Sequence, residues 1–175
     1  MYQVEYARES AARGGTSAGI VCDDGVLLAA EIQGKTKLTA GGRKIQSLGD
    51  RLAVVSSGLV GDAALVIDEL RAAGPKTTDD GVRAVRSPIH RFTLSRTQRP
   101  LGVAFLVGSL LDRKPRLTYV DPSGAVVEAF GMAMGRRAAA AREVLEGRYR
   151  KCTSRRRRSS SSISLGGKHQ SNRCA

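Results

Sequence analysis

Tryptophan is absent, and all aromatics together make up 4% of the chain, so any core must be packed from aliphatic side chains and alanine. No apolar run approaches the ~18 residues needed to span a bilayer, and the start lacks the apolar stretch of a signal peptide. Cysteine is confined to Cys22, Cys152 and Cys174. An odd count without CxxC spacing argues against a disulfide framework and fits a reducing cytosol. The two histidines, His90 and His169, are far apart and unsupported by cysteines or carboxylates, so no metal site is expected. Gly58-Leu59-Val60-Gly61 is glycine-rich, but no Lys-Ser/Thr follows it, which excludes a phosphate-binding loop. There is no internal repeat.

Acidic residues are missing from 147–175, where nine Lys and Arg side chains stand alone. The net charge of +13 therefore belongs mostly to a tail: residues 1–146 carry 20 basic and 16 acidic groups, a net +4. With 41% hydrophobic residues in 175, the chain is one domain's worth of globular sequence.

Several elements are legible. Residues 3–13 contain no breaker, are rich in Ala, Glu and Arg, and stop at Gly14-Gly15, which predicts a short helix. Two apolar runs, 17–22 and 26–31, flank Asp23-Asp24-Gly25, and Asp-Gly there predicts a tight hairpin of type I′. A second hairpin joins 44–47 to 51–57 through Gly49-Asp50. Residues 58–73 change to helical period and end at Gly74-Pro75, with Asp62 in the first turn, where the helix dipole favours it. Helical spacing continues over 80–98, but Pro88 is expected to break or kink it. Strand character returns over 101–111 and 117–120. Residues 125–134 read as a strand pair or a strand plus loop, and 136–150 as an Ala-rich helix. From Lys151 the composition collapses into Arg, Ser, Gly, Asn and Gln, too polar to offset its ordering entropy, so 151–175 is expected to be a disordered basic tail. Hairpins, helices, further strands and a last helix predict two stacked antiparallel sheets with helices outside, an α+β layered domain.

The run Gln3-Val4-Glu5-Tyr6-Ala7-Arg8-Glu9, together with 13–20, 24–29, 56–63, 99–103, and 115–117 through Asp121-Pro122-Ser123-Gly124, resembles the α-type subunits of the proteasome core particle, with an archaeal flavour. The resemblance runs over roughly residues 2–149 and is poor around 75–98. It implies the N-terminal-nucleophile hydrolase fold, a four-layer α-β-β-α sandwich, over residues 1–150, with 2–14 as the cap helix. Beyond Tyr149 the family continues with another helix and closing strands, so these C-terminal elements are expected to be missing. The family's α subunits also carry an N-terminal extension that closes an axial pore. Tyr6 matches one member of that gate cluster, and a ring of this chain is expected to have an open pore.

Catalytic β-type relatives expose an N-terminal Thr whose own amine acts as base. Here Gly15 falls at that position with Thr16 next, both inside the chain. Glu31 and Lys44 fall where active relatives keep an acidic residue and a tuning lysine. The implied site is therefore degenerate (Gly15, Thr16, Glu31, Lys44) and non-catalytic. Lys44 is also open to reading as a strand-edge lysine. A third role is the pocket cation for an activator's C-terminal carboxylate, with Gly14, Gly58 and Leu59 matching other parts of that pocket. Gly14 reads equally as a helix cap and Gly58 as a strand-to-helix turn.

The implied function is a structural subunit of a threonine-type endopeptidase complex in intracellular protein degradation. It would form a heptameric ring, shape the entry pore and require no cofactor. Its partners would be other α subunits, β subunits, ATPase or other activator C-termini, and unfolded protein substrates, without membrane or nucleic acid. Its location would be cytoplasmic, and also nuclear in a eukaryote. Two alternatives stand beside it. One is a β-type threonine peptidase precursor cut before Thr16. The other is a degenerate fragment whose Arg155–Arg158 run binds nucleic acid or targets the nucleus.

Overall fold

The computed structural model describes residues 2–31, 43–112 and 114–148, and the backbone of 162–165. Helix α1 spans Tyr2–Arg13 and leads into the hairpin of β1 (Ser17–Cys22) and β2 (Gly25–Ala30). Strands β3 (Ile45–Ser47) and β4 (Leu52–Gly58) form the second hairpin. Helices α2 (Val60–Ala73) and α3 (Thr78–Leu94) follow, then β5 (Val103–Ser109), β6 (Arg116–Val120), β7 (Val126–Ala129), β8 (Gly131–Met134) and α4 (Ala138–Arg148). The strands make two antiparallel sheets, a four-stranded one in the order β8-β1-β2-β9 and a five-stranded one in the order β3-β4-β5-β6-β7. Strand β9 is Ser162–Leu165, pairing antiparallel with β2.

Strand periodicity builds the layers. On β4, Leu52 and Val54 face one way while Ala53 and Val55 face the other. On β5, Val103, Phe105 and Val107 oppose Ala104 and Leu106. The first set joins Val66, Leu70, Val85 and Ile89 in a core beneath α2 and α3. The second set meets Val26, Leu28 and Leu117 in a core between the sheets. Every residue of β5 is buried, as a central strand covered on both faces must be. Helix α4 packs on β8 and β1, which gives the α-β-β-α order expected of the N-terminal-nucleophile hydrolase-like sandwich. Helix α1 lies against β4 and β5, with Ala7 and Ala11 buried as its small contact residues.

Five details differ from the sequence reading. The first hairpin turns on Asp23-Asp24, because Cys22 pairs directly with Gly25, so Gly25 opens the strand rather than sitting in the turn. Helix α3 runs unbroken through Pro88. A capping box at Thr77 and Asp80 fixes its start, and Pro88 is itself buried beside Val85 and Ile89, so packing outweighs one missing backbone hydrogen bond. The 125–134 segment divides between sheets, β7 pairing with β6 and β8 with β1, so the chain crosses the sandwich at Phe130. Cys22 is buried and disulfide-bonded, against the expectation that the cysteines build no framework. Of the tail expected to be disordered, Ser162–Leu165 forms β9, and the remainder, including Arg155–Arg158, lies outside the described residues.

No helix among the described residues is long and apolar enough to cross a membrane. Among the same residues, no group of three or more His, Cys, Asp and Glu is placed to hold a metal ion.

Candidate functional site

Helix α1 ends where Gly14 N–H reaches back to Ala11 O at 3.3 Å, and the next two residues carry the chain into β1. Space explains the glycine at 14. A Cβ there would lie 2.3 Å from Gly58 N and 2.4 Å from Ser57 Oγ. Gly58, at φ +126°, occupies backbone space that L side chains rarely enter, and its own Cβ would lie 2.1 Å from Gly102 O. Ser57 is buried, and its hydroxyl is shared between Ala11 O at 2.9 Å and Gly15 O at 3.2 Å.

The Gly15 carbonyl is the centre of the site. Besides Ser57 it accepts a hydrogen bond from Lys44 Nζ at 2.8 Å. One residue earlier, Gly14 O accepts from the backbone N–H of Arg136 at 2.9 Å, and Gly135 packs against both carbonyls. Thr16 N–H donates to Glu31 Oε2 at 3.1 Å, while the Glu31 N–H returns a bond to Thr16 O at 2.8 Å. The other Glu31 oxygen accepts from Arg136 Nη2. Thr16 Oγ1 is buried without a hydrogen-bond partner among the described residues.

The charges respond accordingly. The Arg136 guanidinium, then the Thr16 amide, hold the Glu31 carboxyl below the usual carboxylate range. Burial pushes the Lys44 ammonium down; Glu31 opposes that shift and Arg136 adds to it. What the arrangement does chemically is to clamp a peptide segment, with the Thr16 backbone N–H hydrogen-bonded to the Glu31 carboxylate and the Gly15 carbonyl held by Lys44 and Ser57.

Gly15, Thr16, Glu31 and Lys44 thus lie together, and Gly14 touches Gly58. Leu59 and Tyr6 lie in a different feature, a hollow of about 240 Å³ between α1 and the start of α2 that Arg99 and Pro100 also line. Tyr6 is 70% exposed there.

Two side chains of this cluster escaped the sequence reading, and so did the partners of a third residue. Arg136 and Ser57 complete the clamp, and neither has a local pattern that marks it, since their partners lie 105 and 42 residues away. Asp62 does stand in the first turn of α2, but its stronger partners are distant. Arg99 meets it with two bonds of 2.7 Å, and Gly102 N–H donates to it at 2.7 Å.

The comparison with known proteins matches the proteasome family, "Proteasome subunit", over residues 11–157. The chain belongs to that family. Among curated relatives, it is 37% identical over 163 residues to the proteasome subunit alpha of Methanococcus maripaludis, covering 85% of this chain and 62% of the relative. It is 35% identical over 160 residues to the proteasome subunit alpha of Natronomonas pharaonis, covering 85% and 63% respectively. To the proteasome subunit alpha 1 of Haloarcula marismortui it is 33% identical over 160 residues, covering 85% and 62%. The chain therefore spans a little over three-fifths of the length of these relatives, and its likeness is to the archaeal α type of proteasome subunit.

Proposed function

We propose that this chain is a non-catalytic α-ring subunit of a proteasome core particle. The observation that carries the reading is the clamp on Gly15-Thr16. Fifteen residues precede Thr16, twelve of them in α1 (Tyr2–Arg13), and its nitrogen is committed to Glu31. The position where an active relative presents a free nucleophile is used here to bind a helix to a sandwich. In this reading the subunit joins other α subunits in a heptameric ring and stacks on β subunits. It shapes the pore through which unfolded protein passes and works in the cytoplasm.

The docking of activators belongs to the same reading. Lys44 supplies the cation for a terminal carboxylate beside the contact of Gly14 with Gly58, while Leu59 and Tyr6 border the separate hollow between α1 and α2, Leu59 as the outer part of the docking surface and Tyr6 at the gate region. Native mass measurement of the chain co-expressed with a β-type partner tests the proposal. A ring-sized, peptide-degrading species that retains residues 1–15 supports it; persistent monomer, or threonine-dependent hydrolysis by the purified chain alone, overturns it.

One observation favours a second reading, the β-type precursor. The Gly15 carbonyl accepts bonds from Lys44 and Ser57, and the Thr16 hydroxyl beside it lacks a partner among the described residues. In that reading Thr16 Oγ1 adds to the Gly15 carbonyl carbon and the C–N bond breaks. The hydroxyl proton passes to the released amine, and water then hydrolyses the ester. N-terminal sequencing of the mature protein separates the two: a chain beginning at Thr16 supports the second.

A further inference from the structure

Glu31 stands between two sources of positive charge but bonds to one. Arg136 Nη2 occupies one carboxylate oxygen and Thr16 N–H the other, whereas Lys44 Nζ, close enough to feel the same carboxylate, bonds instead to the neutral Gly15 carbonyl. Among the described residues every ion pair of Glu31 is with Arg136 and Lys44 has none. The placement of Arg136 is built in: its backbone N–H is fixed on Gly14 O at 2.9 Å, directly after Gly135, which packs on the Gly14 and Gly15 carbonyls.

We infer that Arg136 is a positioning residue for carboxylate recognition: by holding Glu31 it leaves the Lys44 ammonium without an ion pair among the described residues and ready for the terminal carboxylate of a docking peptide. The inference rests on the reading of Lys44 as the docking cation. An ammonium has three donors, and Gly15 O takes one of them. Were Arg136 absent, the freed Glu31 oxygen would turn to Lys44, and an incoming carboxylate would have to displace an internal one of equal charge. A guanidinium suits the task because it stays charged at every relevant pH and holds a carboxylate through directed N–H groups.

The test uses the full chain co-expressed with a β-type partner. Two fluorescein-labelled apolar hexapeptides serve as probes, one with a free C-terminal carboxylate and one amidated, and anisotropy reads binding. The expected preference for the carboxylate disappears in Lys44→Ala. It falls about two- to fivefold in Arg136→Gln, the range of an exposed charge pair. Arg136→Lys retains most of it, and the double variant Glu31→Gln/Arg136→Gln recovers the wild-type preference, which a merely structural role of Arg136 would not produce. No preference in the wild type, or none lost in Lys44→Ala, overturns the docking reading itself. A Lys44→Ala loss with an unaltered Arg136→Gln, or an Arg136→Gln loss that the Glu31 change does not recover, overturns this inference alone.

Discussion

Gly14 and Gly58 touch backbone to backbone: a Cβ on Gly14 would sit 2.3 Å from the Gly58 amide nitrogen. The contact joins the end of α1 to the end of β4, so it sets how the helix lies on the sandwich. Neither neighbour is the end of a flexible side chain, so neither can move aside cheaply. Gly14→Ala is expected to cost about 2 kcal/mol, in the range of overpacking a well-filled interior. Gly58→Ala should cost more, because its φ of +126° adds backbone strain to a 2.1 Å clash with Gly102 O. Chemical denaturation of both variants checks the order. Equal and near-zero losses would mean that the helix can slide on the sheet.

The Ser57 hydroxyl ties Ala11 O and Gly15 O to the same strand, and it is buried. Removing it in Ser57→Ala leaves Ala11 O without that bond and weakens the hold on Gly15 O, at about 1–3 kcal/mol. The loss is local to the α1 junction. Trypsin is therefore expected to cut after the exposed Arg13 faster in Ser57→Ala than in the parent, in proportion to the fraction of time the helix detaches. Unchanged cleavage with a lowered melting temperature would place the effect in the sandwich instead.

Local chemistry made the layers readable. The breaker-free 3–13 run became α1, Gly74 ends α2 in a left-handed cap, and the alternation on β4 and β5 gave two faces to one strand. Where tertiary packing overrules local preference, the sequence misleads. Pro88 sits inside α3 because that face of the helix is buried, and Gly25 pairs with Cys22 although Asp-Gly favours a turn. The switch of sheets at Phe130 has no local mark either, since β7 and β8 both look like strands. The site divides the same way. Glu31 and Lys44 could be singled out by family resemblance, but not that Lys44 would bond to Gly15 O, nor that Arg136 would hold Glu31 from 105 residues away. Hydrogen bonds of that reach depend on the completed fold.

Asp62 should give the molecule part of its acid sensitivity. Burial by itself would raise its carboxyl pKa, yet the Arg99 guanidinium and the Gly102 N–H outweigh that and hold it below the usual carboxylate range. A carboxyl depressed on folding stabilises the native state above its unfolded pKa, and the benefit is lost as pH falls through the folded value. Asp62→Asn is expected to be less stable than the parent at neutral pH. The gap should narrow as the pH drops below about 4, where the parent alone gives up this contribution. Melting temperatures of the pair from about pH 7 to about pH 3 check the sign. A gap that stays constant with pH would show that the charge on Asp62 does not matter to folding.

Arg8 and Asp121 join α1 to the turn after β6 through two bonds of 3.2 and 3.0 Å, but the two partners are unequal. The Arg8 side chain is 46% exposed and the Asp121 side chain 13%. Asp121 also accepts from Ser123 N–H at 2.8 Å, Ser123 Oγ at 2.5 Å and Ala125 N–H at 2.9 Å, so it builds the Asp121-Pro122-Ser123-Gly124 turn whether or not Arg8 is present. Arg8→Ala surrenders two partly solvated ion pairs, the one to Asp121 and the one to Glu5 within α1, and should cost about 1 kcal/mol. Asp121→Ala strips three donors within the turn as well and should cost about 1–3 kcal/mol more. Asp121→Asn separates the contributions: the amide oxygen still accepts from the turn, so its loss should approach that of Arg8→Ala. A double-mutant cycle over Arg8→Ala and Asp121→Asn then reports the ion pair alone. A coupling near zero would mean that the turn, not the charge, anchors the helix at this end, and the large Asp121→Ala loss would stand without any contribution from Arg8.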